Sequence, residues 1–492
     1  MSTRTGIISK FKFELSGKII SVGAGAILTI LLARLLEPDG YGLLFLTISI
    51  LSFAELFTKL GISHSAARYI AQYKQSKPEL IKPVLTHSML LLTVSTVLTT
   101  SVYVFSIPYI SLLIDEDGLS TMLYLGTFFL LSSSLTKFFR IVFQGFENIR
   151  FSSIINVVNR VMRTILCLTL VLLGFGAGGA LIGYVGAFLL SSTLGLIYMW
   201  RSHIHGLNCV AYNKEMSSKI FKYSIPLTVT TAANKIQMQF DKLLIGVFVG
   251  SAGVAYYTVA KQVTTFVQTP VEALGFTISP SFESLKVSGE VDSASKLYEE
   301  ALSNSLILYI PAASGLVVIS EPLILLIFGG DYFSSIILLQ MLSIYLVLQV
   351  ITTLTGKGLD YLGKAKARAI VKSITAIINL VLNIVLIPIY GVVAAAISTI
   401  ITYSIYTIAH LILIDGEFDL NWGPIFNRTM LSIVISLIIV LITLPVIQIF
   451  SNFLSIIISV PIGVSVWFIF SIISGVFTMS EVKSLIGLDD NE

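Results

Sequence analysis

Charge is what this sequence has little of. Only 12% of its 492 residues are Asp, Glu, Lys or Arg, where a soluble domain carries about 25%. With 55% hydrophobic residues and a mean hydropathy of +0.91, the shortage excludes a soluble body on a single anchor. Cysteine is almost absent: Cys167 and Cys209 give no disulfide framework, and Cys167, in an apolar run, reads as a small core residue. The signatures of several enzyme classes are missing, with no phosphate-binding glycine loop, dinucleotide fingerprint or nucleophile elbow. His203 and His205 lack cysteine or acidic neighbours at ligand spacing, and His64, His87 and His410 are isolated. No metal site is expected, and no cofactor beyond a coupling ion, sodium or proton. The net charge of +4 is too small to suggest a nucleic-acid partner.

Apolar runs are what fills the chain. In hydrocarbon, only helices or closed barrels satisfy their own backbone. These runs are about 20 residues long, which suits helices rather than barrel strands. Fourteen spans are expected, near residues 13–36, 41–61, 85–106, 119–142, 153–174, 178–200, 222–248, 254–279, 302–320, 333–358, 367–388, 391–414, 429–449 and 453–478. The predicted fold class is therefore all-α integral membrane. The first span lacks a small-residue cleavage site behind its basic start and reads as a retained helix. Residues 321–333, with Glu321-Pro322 and Gly329-Gly330-Asp331, are the hardest to assign.

The connections alternate in charge. Those after spans two, four, six, eight and ten carry Arg68, Lys74, Lys77 and Lys82; Arg150; Arg201, Lys214 and Lys219; Lys286 and Lys296; and Lys364, Lys366 and Arg368. The opposite ones hold Glu37, Asp39, Asp115, Glu116, Asp117, Glu321 and Asp331, and no Lys or Arg. An excess of Lys and Arg marks the cytoplasmic side, so both termini are expected in the cytoplasm of a cell that carries this protein in its plasma membrane. Residues 415–428 fit poorly, with Asp415, Glu417 and Asp419 against Arg428. Every outer connection is about a dozen residues or fewer, so no catalytic domain is hung outside and the chain is not expected to be an enzyme.

The chain also resembles itself at a shift of about 213 residues. Leu31-Leu32 through Asp39-Gly40-Tyr41-Gly42 falls on Leu244-Ile245 through Ala252-Gly253-Val254-Ala255. Ser52, Glu55 and Lys59 fall on Thr265, Gln268 and Glu272, and Gly176–Ala180 falls on Gly391–Ala395. Two pseudo-symmetric six-helix lobes follow, residues 1–205 and 206–421, with a C-terminal helix pair at 422–492. Six spans is an even number, so both lobes share one orientation, as in transporters that alternate access across a cleft.

Ionisable side chains at membrane depth are costly and should face a cavity or a partner. Lys261, Thr265, Gln268 and Glu272 share one face of span eight, Glu14, Lys18, Ser21 and Gly25 one of span one, and Ser52, Glu55 and Lys59 one of span two. At about 1.5 Å per residue, Asp241 is level with Lys261 and Lys18 with Glu55, so these four form internal ion pairs or contact substrate. Lys235, in the polar band of span seven, has no carboxylate at its level in adjacent spans and is the foremost candidate for an unpaired cavity cation. Arg160 and Arg163 either join that cavity or snorkel to lipid phosphates. Gly179, Gly183 and Gly186 read as helix-packing positions, and Pro226 and Pro270 as kinks. Cations in a wet cleft suit a phosphate or pyrophosphate headgroup.

Three motifs carry a family resemblance: Leu32-Ala33-Arg34-Leu35-Leu36 with Asp39-Gly40-Tyr41-Gly42; Asp241-Lys242-Leu243-Leu244-Ile245-Gly246 with Gly253 and Tyr256-Tyr257; and Asn383–Gly391 with Ala394-Ala395-Ala396. On these the chain resembles the Wzx-type polysaccharide-biosynthesis flippases of the multidrug/oligosaccharidyl-lipid/polysaccharide (MOP) exporter superfamily. The resemblance implies a fourteen-helix, two-lobed fold that flips polyprenyl-linked oligosaccharides through a cationic cavity, amid membrane lipids and alongside glycan-assembly enzymes. It makes Lys235, Lys242 and Lys261 cavity candidates, and Arg34 and Asp241 motif positions. A drug or metabolite antiporter of the same superfamily is the rival, with a membrane glycan polymerase behind it.

Overall fold

The computed structural model describes residues 2–204 and 214–474, without side chains for residues 2–20 and for several positions between 203 and 286. Among them every element is helical. The order is α1 (Ser2–Lys59), α2 (Ile62–Ser76), α3 (Ile81–Ile114), α4 (Leu119–Gly145), α5 (Ile149–Leu170), α6 (Gly176–Met199), α7 (Lys214–Phe248) and α8 (Ser251–Ser288), then α9 (Val291–Val318), α10 (Ser320–Ile327), α11 (Ser335–Tyr361), α12 (Ala365–Tyr390), α13 (Val392–Phe418), α14 (Trp422–Ile449) and α15 (Asn452–Ile473). Ten stretches of the described residues are long and apolar enough to cross a membrane. Apolar side chains such as Leu98, Phe105, Leu112, Leu441 and Ile473 stand exposed, and only 11% of the apolar window of α15 is buried. Such a surface is soluble only in lipid. The chain is a multi-pass helical membrane protein.

Two of the ten stretches are broken helices. In α1 the break is Glu37, at φ 56° and ψ 176°. Pro38 denies the residue before it an α conformation, so one continuous helix becomes two crossings. Between α5 and α6 the turn is made at Gly174 and Gly176, with φ of 89° and 52°, where a side chain would be strained. Residues 321–333 form the short α10 and a single turn at Gly330–Tyr332.

The chain forms two compact units, 1–255 and 256–492. That division differs from the boundary at 205/206 expected from the sequence repeat, and α7 packs on α1, α2 and α3. In unit 1, α5 and α6 meet closely: a Cβ on Gly183 would come within 2.6 Å of the Cys167 backbone nitrogen. Cys167 is fully buried there and its Sγ donates to the Ala180 carbonyl at 3.2 Å. In unit 2, α14 lies on α9 and α15 on α14, with Trp467 Nε1 donating to the Ile307 carbonyl at 3.0 Å.

Contacts sort the connections into ends. In unit 1, Lys74 pairs with Glu147 at 2.8 Å, Ser65 donates to the Ile220 carbonyl, and Arg68 lies over the Tyr223 ring. These join the segments after spans two, four and six. The segment after span three meets that after span seven, where Glu116 accepts from the Ser251 N–H at 3.0 Å and hydroxyl at 2.6 Å. In unit 2, Lys364 pairs with Glu417 at 2.7 Å and Glu299 accepts from the Asn421 N–H. The acidic residues 415–428 thus share an end with the basic connection after span ten. Their carboxylates are partly spoken for, with Asp415 accepting from Trp422 Nε1 at 2.7 Å, so their sign says little about side.

Candidate transport site

The second half of α1 places Ser52, Glu55 and Lys59 on one face, and that face turns inward to α4 and α7. Glu55 is 1% exposed. Its Oε1 takes Lys59 at 2.7 Å, and both its oxygens take Lys137 at 2.7 Å. Lys235 of α7 reaches Oε2 at 2.8 Å and also donates to the Ser52 carbonyl at 3.1 Å. Ser133 donates to Oε1 at 2.7 Å. A carboxylate offers about four lone-pair sites, so Glu55 is saturated. Three lysines against one carboxylate leave two positive charges. The lysine side chains are 19%, 33% and 29% exposed while the carboxylate is sealed. The group therefore presents cations outward.

Lys235, expected to lack a carboxylate, has one. The depth estimate treats helices as parallel rods measured at the backbone, whereas a lysine stem spans more than a helical turn. Lys137 and Ser133 are members that the search for membrane-depth charge misses, although Ser133, Lys137 and Arg140 lie at the i, i+4, i+7 spacing that marks one helix face.

Arg140 carries the positive surface towards α5. Its guanidinium donates to Asn156 Oδ1 at 3.4 Å, and Asn156 donates to Ser21 at 3.2 Å. Arg163 lies over the Tyr184 ring at 4.8 Å. Arg160 is exposed, with one guanidinium nitrogen where Gly25 leaves room for it. The Nε atoms of Arg140 and Arg163 and the Nδ2 of Asn159 are buried with no hydrogen-bond partner among the described residues. All three are donors, and buried donors want acceptors. The chemistry this wall suits is binding of an oxyanion.

The other predicted residues are more scattered. Lys242 sits 5.4 Å over the Phe45 ring, with Asp241 buried beside it in sequence and Arg34 exposed. In unit 2, Lys261 sits 3.7 Å over the Tyr345 ring, Gln268 is buried and Glu272 exposed. Cation–π contact holds such ammoniums at a modest gain. The side chain of Lys18 lies outside the described residues, as do those of Asn234 and Gln237. Pro270 stands beside a rearranged hydrogen bond, the Val271 N–H donating to the Tyr309 hydroxyl at 2.8 Å. Outside the spans, Lys219 hydrogen-bonds Glu215 at 2.8 Å and holds its carboxyl below the ordinary range, an open surface pair unlike the sealed one at Glu55.

A family model described as polysaccharide biosynthesis protein matches residues 9–286, more than half of the chain. The chain belongs to that family. A relative described as the probable low-salt glycan biosynthesis flippase Agl15 of Haloferax volcanii is 26% identical over 191 residues, 39% of this chain and 40% of the relative. The chain thus spans well under half of that relative in the matched region. Among solved structures, the lipid II flippase MurJ in an inward closed conformation superposes with a TM-score of 0.75 at 16% identity, covering 93% of this chain and 97% of that one. An inward-facing multidrug resistance MATE transporter of the MOP superfamily gives 0.64 at 15% identity, covering 82% and 98%. The fold is thus shared with a lipid II flippase and with MATE transporters, and the matched relatives include probable flippases.

Proposed function

We propose that this protein flips polyprenyl phosphate- or pyrophosphate-linked oligosaccharides from the cytoplasmic to the outer leaflet by alternating access. The observation that carries the reading is the excess of half-buried cation in unit 1: three lysines on one sealed carboxylate, next to buried arginine and asparagine donor atoms without acceptors among the described residues. A diphosphate supplies acceptor oxygens and negative charge together, and such hydrogen bonds are the strong ones. In this reading the chain crosses the plasma membrane fourteen times with both termini in the cytoplasm. The headgroup enters the cationic wall of unit 1, the polyprenyl tail stays in lipid, and Lys242 and Lys261 meet the passing glycan. Glycan-assembly enzymes deliver the substrate and collect it. An ion gradient, the membrane potential or the substrate gradient drives the cycle. Reconstitution in vesicles with a fluorescent polyprenyl-diphosphate disaccharide tests this. Inner-leaflet label should become accessible to an external membrane-impermeant quencher quickly only in vesicles containing the protein; equal rates in empty vesicles refute it.

A multidrug antiporter is the second reading, favoured by the MATE-like fold and by a buried carboxylate. Glu55 argues against it, because a carboxylate with three lysines and a serine on its oxygens has no capacity left for a cationic drug. Efflux of ethidium from the same vesicles would favour the antiporter.

A further inference from the structure

Residues 321–333 and the end of the third sequence motif, which the cationic wall does not use, meet at one end of unit 2. A cavity of about 540 Å³ opens there. It is lined by Tyr256 of α8, Glu321 of α10, Phe333 and Ser334 just before α11, Gln340 of α11, and Val392 at the start of α13. Its size falls within the roughly 300–1,000 Å³ of pockets that take small ligands. The 27 residues of α11 run from this cavity towards the Lys364–Glu417 pair, so the cavity lies at the opposite end, with the acidic connections.

The lining mixes two kinds of surface. Phe333 is 63% exposed, and the Tyr256 ring stands edge-on to Tyr332 at 6.3 Å. Beside these rings the polar groups are chiefly acceptors. Glu321 is exposed and makes no ion pair among the described residues. Gln340 donates through Nε2 to Ser320 Oγ at 3.0 Å, which leaves its amide oxygen to accept. Ser334 does not cap α11 with its hydroxyl, so that group is left to donate or accept.

Charge narrows the occupant. No Lys or Arg occurs between Lys296 and Lys357, or between Lys372 and Arg428, and Lys261 of α8 lies over the Tyr345 ring. A phosphate would meet Glu321 as a like charge. An organic cation gains little from a carboxylate standing in water. A lipid tail would strip water from the amide and hydroxyl and return no hydrogen bond. A sugar ring offers an apolar face to the aromatic rings and hydroxyls to the acceptors, and so answers both surfaces.

We propose that this cavity binds an uncharged sugar of the transported glycan. The claim rests on the transport reading above and adds a saccharide site built from residues that the diphosphate does not use. Recognition is then divided, phosphate by charge in unit 1 and sugar by shape and hydroxyls in unit 2.

Saturation-transfer NMR on the full chain in lipid nanodiscs tests this, with the methyl glycosides of glucose, galactose, mannose and N-acetylglucosamine as probes. Magnetisation should pass to at least one of them. Glu321→Ala should weaken its binding about tenfold, as loss of a hydrogen bond to a charged group does, and Phe333→Ala several-fold. Both side chains are exposed, so neither change threatens folding. Transfer to none of these sugars, or unchanged affinity in both variants, overturns the proposal. Glucose 1-phosphate should bind more weakly than methyl glucoside, and tighter binding overturns the proposal in favour of an anion site. Uptake of tetraphenylphosphonium in place of every glycoside overturns it in favour of a cation site. The vesicle assay separates this claim from the transport reading. Flipping without sugar binding removes the saccharide site alone, whereas sugar binding without flipping overturns its tie to transport.

Discussion

The two units differ in their electrostatics at positions that the sequence self-match pairs. Glu55 and Gln268 are matched positions, and both are buried, at 1% and 5%. In unit 1 that position is an anion clamped by lysines of α1, α4 and α7. In unit 2 it is a neutral amide, and the nearby cation Lys261 leans on a tyrosine ring instead. Both positions are buried and polar, and only the one in unit 1 is ionisable. The difference teaches that a repeat constrains where polar side chains point more tightly than it constrains what they carry. At these positions unit 1 uses an ion cluster and unit 2 a neutral amide near a cation–aromatic contact.

The sharpest way to break this contrast is to give unit 1 the residue of unit 2. Glu55→Gln leaves three ammoniums facing each other with no counter-ion. Removing one partner of a buried ion pair costs about 3–5 kcal/mol, so thermal unfolding in detergent should show a large loss of stability. A variant that melts like the parent would mean the lysines disperse freely. Next comes Gly183→Ser, which installs the residue found at the matching position Ser398. Its Cβ meets the Cys167 backbone at 2.6–2.7 Å, and overpacking of this kind costs about 1–3 kcal/mol. The same melting assay measures it, and no change would show that α5 and α6 can part without penalty.

Lys235→Ala removes one cation of three and should lower flipping several-fold at unchanged membrane levels, with about 1 kcal/mol or less of stability lost, since its side chain is 29% exposed. Full flipping activity would take Lys235 out of the site. The smallest effect belongs to the loop pairs, one in each unit. Lys74→Ala and Lys364→Ala each lose an exposed contact worth about 0.2–1 kcal/mol, and both should fade alike in high salt. Unequal losses would reveal a structural role for one end that the other lacks.

Much of the fold is legible in the residues, because apolar length and loop charge report directly on the solvent each segment meets. The alternating Lys and Arg foretell which connections share an end in each unit, and the glycines of α6 foretell a close helix contact. The site is less legible. The Glu55/Lys59 stripe stands out from its periodicity, yet the third and fourth members come from α4 and α7, and only packing tells which face of one helix meets another. Lys137 has the sequence position of a loop charge because it lies near a span end. Lys235 finds no partner in a depth estimate taken at the backbone, which leaves out the reach of its stem. His410 is isolated in sequence, and that gives no hint of a side chain sealed against the Tyr406 ring.

The bilayer and the packing on α14 and α10 together fix the posture of α15. Its 22 residues span about 33 Å at 1.5 Å each, close to the roughly 30 Å of a bilayer's oil layer. It presents apolar side chains on much of its surface, packs on α14 and α10, and Trp467 donates to a carbonyl of α9. Packing on these helices sets its tilt, and membrane thickness acts against that packing. Longer-chain lipids should bring α15 more upright about the Trp467 pivot, a movement that a spin label at Ile473 would register and that would be absent if the helix were held rigidly.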